Sequence, residues 1–394
     1  MWAEAEVLSE KAASITMRAL VLDAKARTGV IKEVPSPAPA PNEVLVHVKA
    51  IALNPVDALY TAHPIGNTGR VLGSDFAGVV VTLGSSVPSS SGLQVDSRVA
   101  GFLQGACSVN ARPGAFAEYL VCPWDLVWRI HDLPFEDAAT ISLCALTAAQ
   151  ALFLRMGLPA PFSWVQQHIH RQDDKRPVSM LINGASTSVA LYAAQLAQLS
   201  PIPFTLFGSA SQKHTPLLKG APYNFSHLVD YRSRDWSQQV LELNDNRGLD
   251  IGYDCISESS TVFHTATTLA KGARMAVVRS REGQAWDTSA AELGLEPSYG
   301  AVWEGLGEDV AYEGMDLPAN DVARGFTVAF YAWLSEGRKI LPNPVRLMPG
   351  GLEKVVVHGF ALLGTGSMDD RKAGVRGEEW MRPVSGEKLV YHID

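Results

Sequence analysis

Residues 178–199 read VSMLINGASTSVALYAAQLAQL, and this stretch decides the fold. Val178 to Asn183 form a short apolar run stopped by Gly184, the pattern of a strand buried on both faces. From Ser186 onward, hydroxyl residues lead into an Ala/Leu-rich helix that ends at Ser200-Pro201. Strand-like and helix-like segments then alternate. IPFTLFG (202–208) is a second strand and His227–Tyr231 a short third. DWSQQVLELN (235–244) is an amphipathic helix and LDIGYDCIS (249–257) a fourth strand. VFHTATTLA (262–270) is a helix and ARMAVVRS (273–280) a fifth strand. Such alternation implies βαβ units on a parallel sheet.

The flanks differ in style. MRALVLD (17–23), EVLVHVKAIAL (43–53), LGSDFAGVVVTLG (72–84), RVAGFL (98–103) and GAFAEYLVCP (114–123) are β segments with glycine corners. Pro35, Pro37, Pro39 and Pro41 mark an extended connector between the first two. Residues 135–157 read as helices with the acidic start Glu136-Asp137. Residues 159–177 read as a surface insertion, and 303–318 as an acidic, Gly-containing loop. A helix follows at 320–337, with Asn320 or Asp321 as cap. VRLMPGG (345–351) and EKLVYHI (387–393) return to β character. The expectation is an α/β chain in which a β-rich domain, 1–149 and 318–394, is split by an inserted doubly wound parallel-sheet domain, 150–317.

Composition narrows the class. The 394 residues carry a net charge of −8, with 47% apolar and 19% charged side chains. That is too apolar for disorder and too acidic for a nucleic-acid footprint. Four dispersed cysteines without a CxxC pair point to thiols in a reducing compartment. No signal-like start and no apolar run of about 18 residues are visible. The expectation is a cytoplasmic protein with no membrane and no nucleic-acid partner.

A dinucleotide would sit at the turn after the first strand of the parallel sheet. Glycine-rich spacing is absent there: Ala185, Thr187 and Ala190 stand at the motif positions. Small residues still admit a pyrophosphate at a helix N-terminus, and Ser186, Thr187, Ser188 and Val189 offer hydroxyl and N–H donors. A hydroxyl-capped helix without ligand is the alternative. After the second strand, Gly208-Ser209-Ala210-Ser211-Gln212-Lys213 lacks the carboxylate that NAD enzymes use for the ribose 2′-OH. Hydroxyls and the Lys213 cation suit a 2′-phosphate, hence NADPH, unless Lys213 is only a solvated lysine.

Asn54-Pro55-Val56-Asp57, residues 72–78 (LGSDFAG), residues 114–119 (GAFAEY), Thr147-Ala148 and the turn at 184–187 together resemble the medium-chain dehydrogenase/reductase superfamily, whose fold is a split GroES-like domain with an inserted Rossmann domain. Asp254-Cys255-Ile256, Pro344-Val345-Arg346 with Gly350-Gly351, and residues 386–390 (GEKLV) look like the fungal trans-acting enoyl reductases of highly reducing polyketide synthases, the lovastatin type. The insertion before Val178 does too. The resemblance implies NADPH-dependent reduction of the C=C of an α,β-unsaturated polyketide thioester. A highly reducing polyketide synthase and its acyl carrier protein would be the partners. Zinc members place Cys, His and an acid at positions matching Asn54, Ser74 and Asp75, so no metal is implied.

By the same resemblance Asn54, Tyr60 and Thr147 are candidates for polarising the substrate. A turn residue, a half-buried tyrosine and a helix-backbone contact are the respective alternatives. Val56, Asp57, Tyr231, Val278, Arg279, Val390 and Tyr391 match cofactor-bordering positions, with packing roles as the alternative for Tyr231 and Arg279. The subgroup carries Ser and Lys where this chain has Val56 and Leu59, which leaves the proton donor open, with water one possibility. Carrier docking needs a local basic patch, for which Arg371, Lys372, Arg376 and Arg382 are candidates. The competing readings are a free-standing quinone or alkenal reductase, a non-redox member such as a cyclase, and a non-catalytic synthase-binding subunit. Residues 297–303 break into the Gly-rich loop and make a poor edge for sheet pairing, so a monomer is expected.

Overall fold

A computed structural model describes residues 16–110, 112–164, 176–312, 314–337 and 339–393. Much of the insertion expected at 159–177 lies outside the described residues.

The described residues open with an antiparallel ribbon, β1 (Thr16–Asp23) and β2 (Thr28–Pro35). A second sheet begins with β3 (Glu43–Ala52), whose inward residues alternate with half-buried ones over Val44–Val48. At Asn54-Pro55 the chain turns into α1 (Pro55–Ala62), where proline's fixed φ suits the first helical position. The sheet continues with β4 (Asp75–Leu83), β5 (Arg98–Phe102), β6 (Tyr119–Pro123) and β7 (Val127–Arg129). A connecting helical stretch follows: α2 (Phe135–Ala138), then α3 (Ser142–Ala149), which runs on as π-turns over Gln150–Arg155. Phe135–Arg155 is long and apolar enough to cross a membrane, but 83% of its most apolar window is buried inside the fold. It is the spine between the two sheets.

The inserted sheet holds β8 (Val178–Asn183), β9 (Phe204–Ser209), β10 (His227–Val229), β11 (Leu249–Asp254) and β12 (Leu269–Val277). Its order is β10-β9-β8-β11-β12, and all its pairings are parallel. Helices α4 (Ser188–Leu199), α5 (Thr215–Lys219), α6 (Trp236–Leu243) and α7 (Thr261–Thr267) make the crossovers. The chain direction reverses about β8, so the carboxyl ends of β8, β9 and β11 form the crevice where such sheets take ligands.

Two expectations shift. The helix expected over 262–270 stops at Thr267, and β12 starts at Leu269, because Leu249 of β11 pairs with Leu269. The loop expected over 303–318 contains a small antiparallel hairpin, β13 (Val310–Tyr312) and β14 (Met315–Leu317). Val310 and Tyr312 are buried, which gives this otherwise acidic segment an apolar face to dock.

Helix α8 (Asp321–Ser335) starts at Asn320, whose side chain accepts the Ala323 N–H at 3.0 Å. The chain then re-enters the first sheet through β15 (Val345–Leu347), α9 (Ala361–Leu363) and β16 (Lys388–His392). β16 pairs with β3 through Val390–Ala52 and carries β15 on its outer side. The final strand therefore closes the sheet that the first third of the chain began, and one apolar core runs through both domains.

Candidate active site

The turn between β8 and α4 achieves without three glycines what the glycine motif does. Gly184 takes a positive φ of 74°, and a Cβ there would lie 2.7 Å from Ile256 Cγ1. Ala185 is fully buried, and the room for its methyl comes from Gly208 opposite, where a Cβ would lie 2.9 Å from it. Ala190 is small enough for α4 to pack on the sheet. Thr187 is the N-cap, and its hydroxyl takes the Ala190 N–H at 3.4 Å. Helix geometry leaves the N–H groups of Ser188 and Val189, the first two positions of α4, without partners inside the helix. Ser186, Ser188 and Val189 are half-buried at this helix start. The residues thus fit the pyrophosphate of a dinucleotide: a turn with no side chain in its way and a twelve-residue helix pointing its N-terminus at the crevice.

At the end of β9 the side chains separate in role. Ser209 is fully buried, accepting the Gly184 N–H at 3.0 Å and bonded to Asn183 Oδ1, so it braces the turn from below. Ser211 accepts from Arg232 Nη1 at 2.9 Å, and Lys213 is exposed beside it. The Arg232 guanidinium lies 4.9 Å from the Tyr231 ring centroid. Ser211, Tyr231 and Arg232 therefore gather just past β9 and β10, with the Asp230 carboxylate 3.6 Å from the Arg232 guanidinium, while Gly208 and Ala210 line the approach. Arg232 is missing from the sequence-derived set. Its only signal was a second cation directly after Tyr231.

Beneath the cleft lies a polar cluster that is almost wholly enclosed. Lys388 Nζ donates to Asp75 Oδ2 at 2.6 Å, to the Thr140 carbonyl at 3.3 Å and to Cys144 Sγ at 3.4 Å. Asp75 Oδ2 also accepts from Asn54 Nδ2 at 2.9 Å, and its Oδ1 takes the Leu143 N–H at 2.9 Å, at the start of α3. The Cys144 thiol donates to Asn54 Oδ1 at 3.4 Å. Burial works against the Lys388 charge, but Asp75 and Cys144 outweigh it and hold the ammonium's pKa above the usual value. Asn54 is 2% exposed, and both ends of its amide are engaged inward.

Asp57 belongs to the same cluster. It is buried, accepting the Asn54 N–H at 2.7 Å and the Ser74 hydroxyl at 2.6 Å. Burial, aided by nearby Asp75, pushes its pKa to about 7 against the lowering effect of those hydrogen bonds and of Lys388. Between the unfolded value and about 7, the folded chain holds a proton that the unfolded chain has released, so Asp57 costs stability as pH rises across that window. The expected loss is a few kcal/mol by pH 7.5. Thermal unfolding of wild type and Asp57→Asn from pH 5 to 8.5 checks this: the variant should gain on the wild type as pH rises. Parallel curves would rule it out, since other titrating groups are common to both proteins.

The remaining candidates divide. Thr147 is half-buried and donates its hydroxyl proton to the Leu143 carbonyl at 2.8 Å. Tyr60 is 4% exposed and meets Tyr312 edge-on at 6.1 Å. Val56 is half-buried at the start of α1. Val278 donates its N–H to Ser257 Oγ at 3.0 Å at the crevice end of β12. Arg279 extends from there to the Gly366 carbonyl at 3.1 Å. Val390 and Tyr391 have 0% exposure; they pack in the sheet interior and offer no surface to a ligand. Of the expected basic patch, two members are paired with carboxylates, Arg376 meets a backbone carbonyl, and Arg371 is taken up below. Lys372 pairs with Asp369 and Arg382 with Glu387, each at 2.7 Å, and Arg376 bonds the Val357 carbonyl.

A GroES-like sheet split around a parallel dinucleotide-type sheet, with the crevice between them, defines a medium-chain dehydrogenase/reductase. The Alcohol dehydrogenase GroES-like domain family matches residues 40–132. A solved alcohol dehydrogenase superfamily protein from Novosphingobium aromaticivorans superposes with a TM-score of 0.70 over 96% of this chain and 100% of its own, at 20% identity. Trans-enoyl reductase ACTTS2 of Alternaria alternata is 31% identical over 385 residues, 96% of this chain and 100% of the relative. Trans-enoyl reductase thnE of Trichoderma harzianum is also 31% identical, over 95% of this chain and 96% of its own. The chain belongs to the trans-enoyl reductase family.

Proposed function

We propose that this protein reduces the C=C bond of an α,β-unsaturated thioester carried by a partner polyketide synthase, using NADPH and no metal, in the cytoplasm. The observation that carries the coenzyme choice is the Ser211–Arg232 hydrogen bond, with Lys213 two residues on and no carboxylate at the end of β9, although Arg232, which follows β10, also lies 3.6 Å from Asp230. NADPH supplies the hydride that adds to the β-carbon of the substrate. The chain's own residues hold and orient. The start of α4 would hold the coenzyme's phosphates, the Val278 N–H is fixed by Ser257 at the crevice end of β12 where the ring would lie, and Thr147 stands on the spine helix with its proton on the Leu143 carbonyl. The absence of metal chemistry is supported by Lys388, whose ammonium sits 2.6 Å from Asp75 and fills the charge role there.

Proton delivery to the α-carbon falls to solvent or to Tyr60, the third candidate, in this reading. The Asn54 amide and the Thr147 proton are engaged within the protein, and Leu59 carries no polar group. Following absorbance at 340 nm with purified protein, NADPH and crotonyl-pantetheine tests the proposal. Oxidation of NADPH that depends on the thioester is expected. NADPH binding without turnover, on short thioesters and on carrier-bound polyketides alike, would instead favour a non-redox or non-catalytic member.

A further inference from the structure

The segment between α9 and β16 folds back across the mouth of the crevice and brings two guanidiniums together. Arg371 sits in the turn Asp370–Gly374 with its Nε enclosed and lacking a hydrogen-bond partner. Arg70, Arg155 and Arg346 also enclose an unpartnered Nε, but each engages its terminal nitrogens with carbonyls or carboxylates. Arg371 has no hydrogen bond or ion pair of that kind among the described residues. Its neighbours are Glu258, just after β11, and Arg279, just after β12. Arg279 lies 3.7 Å from Glu258, while Glu258 also takes the Met368 N–H at 3.1 Å.

The other carboxylates nearby are engaged. Asp370 accepts the Ser367 N–H at 2.8 Å, and Asp369 holds Lys372 at 2.7 Å. Two guanidiniums thus share one carboxylate. Burial, reinforced by Arg279, lowers the Arg371 pKa against the pull of Glu258. Arg371 is half-buried with its Nε enclosed, and one carboxylate beside two cations leaves the group a net positive charge that an incoming anion would balance.

Location limits the anion. Glu258 and Arg279 stand at the carboxyl ends of the parallel strands, where ligands enter. The 366 backbone lies against α1, since a Cβ on Gly366 would be 3.9 Å from Leu59 Cδ1. The site therefore opens on the crevice, next to a position that offers only an apolar side chain.

We propose that Arg371 and Arg279 form a receiving site for a phosphate ester entering the crevice between the two domains. The start of α4 is where the coenzyme's pyrophosphate would lie, so the group received here is the phosphodiester of a pantetheine arm, a source that rests on the function proposed above. Planar guanidiniums suit phosphate oxygens through paired N–H donors, which a lysine does not reproduce.

Calorimetric titration of the full chain with inorganic pyrophosphate, NADPH and phosphopantetheine tests the site, comparing wild type with Arg371→Gln, Arg371→Lys and Arg279→Gln. Loss of a charged phosphate contact predicts about tenfold weaker binding or more in Arg371→Gln, with Arg371→Lys recovering part of it. A loss on phosphopantetheine, with a raised KM for crotonyl-phosphopantetheine but not for crotonyl-pantetheine, supports the site, and a loss on NADPH alone overturns its assignment to the arm. Wild type that binds none of the three probes, or Gln variants that bind all three as wild type does, overturns it. Thermal unfolding confirms that the variants are folded. Failure of the enoyl reduction itself would leave these binding measurements intact, so the two proposals fail separately.

Discussion

Lys388→Met is expected to lower stability by about 3–5 kcal/mol, the largest effect of any single substitution at this site. The ammonium is 2% exposed and its partner Asp75 0%, so the variant strands a buried carboxylate. Asp75 would keep its bonds from Leu143 and Asn54, but neither neutralises its charge. The double variant Asp75→Asn/Lys388→Met removes both charges and should regain at least half of the loss, because a buried pair mostly offsets its own desolvation. Denaturant unfolding of the three proteins measures this. A single variant within about 1 kcal/mol of wild type would show that the pair is not what holds β16, β4 and α3 together.

The pair also shows where local pattern stops being informative. The strands, the crossover helices and the split of the β-rich domain follow from periodicity and from glycine and proline placement, which act over a few residues. Lys388 and Asp75 are 313 residues apart, and nothing near either one announces the other. Lys388 was visible only as part of the run 386–390, as a likeness and not as a buried cation. Arg232 was missed for a related reason, because its partner Ser211 belongs to the neighbouring strand's end. The resemblance puts Val390 and Tyr391 beside a coenzyme, whereas β16 lies between β3 and β15 with both of its faces covered, so the two side chains are fully buried. The turn itself was half legible. Its missing glycines were evident, but the compensation by Gly184's conformation and by Gly208 across the sheet needs the paired strands in view.

Ser211→Asp is expected to invert coenzyme preference. The residue stands at the end of β9 and already accepts a hydrogen bond from Arg232 at 2.9 Å, so an aspartate there would draw the same guanidinium onto itself. A 2′-phosphate arriving at this position would lose its cation and meet a fixed negative charge. At about 5 Å and an effective dielectric constant of about 20, one such repulsion is worth roughly 3 kcal/mol. NADPH affinity should therefore fall by about a hundredfold. NADH has no 2′-phosphate, and the new carboxylate can accept its ribose hydroxyl, so its affinity should hold or improve. Arg232→Gln, which removes the cation without adding an anion, should weaken NADPH by about tenfold and leave NADH unchanged. Fluorescence titration of both coenzymes at low and high salt reads the result, and the NADPH loss should shrink at high salt because these groups are exposed. If both coenzymes weakened in parallel, the end of β9 would not meet the ribose at all, and the preference for NADPH would lose its physical basis.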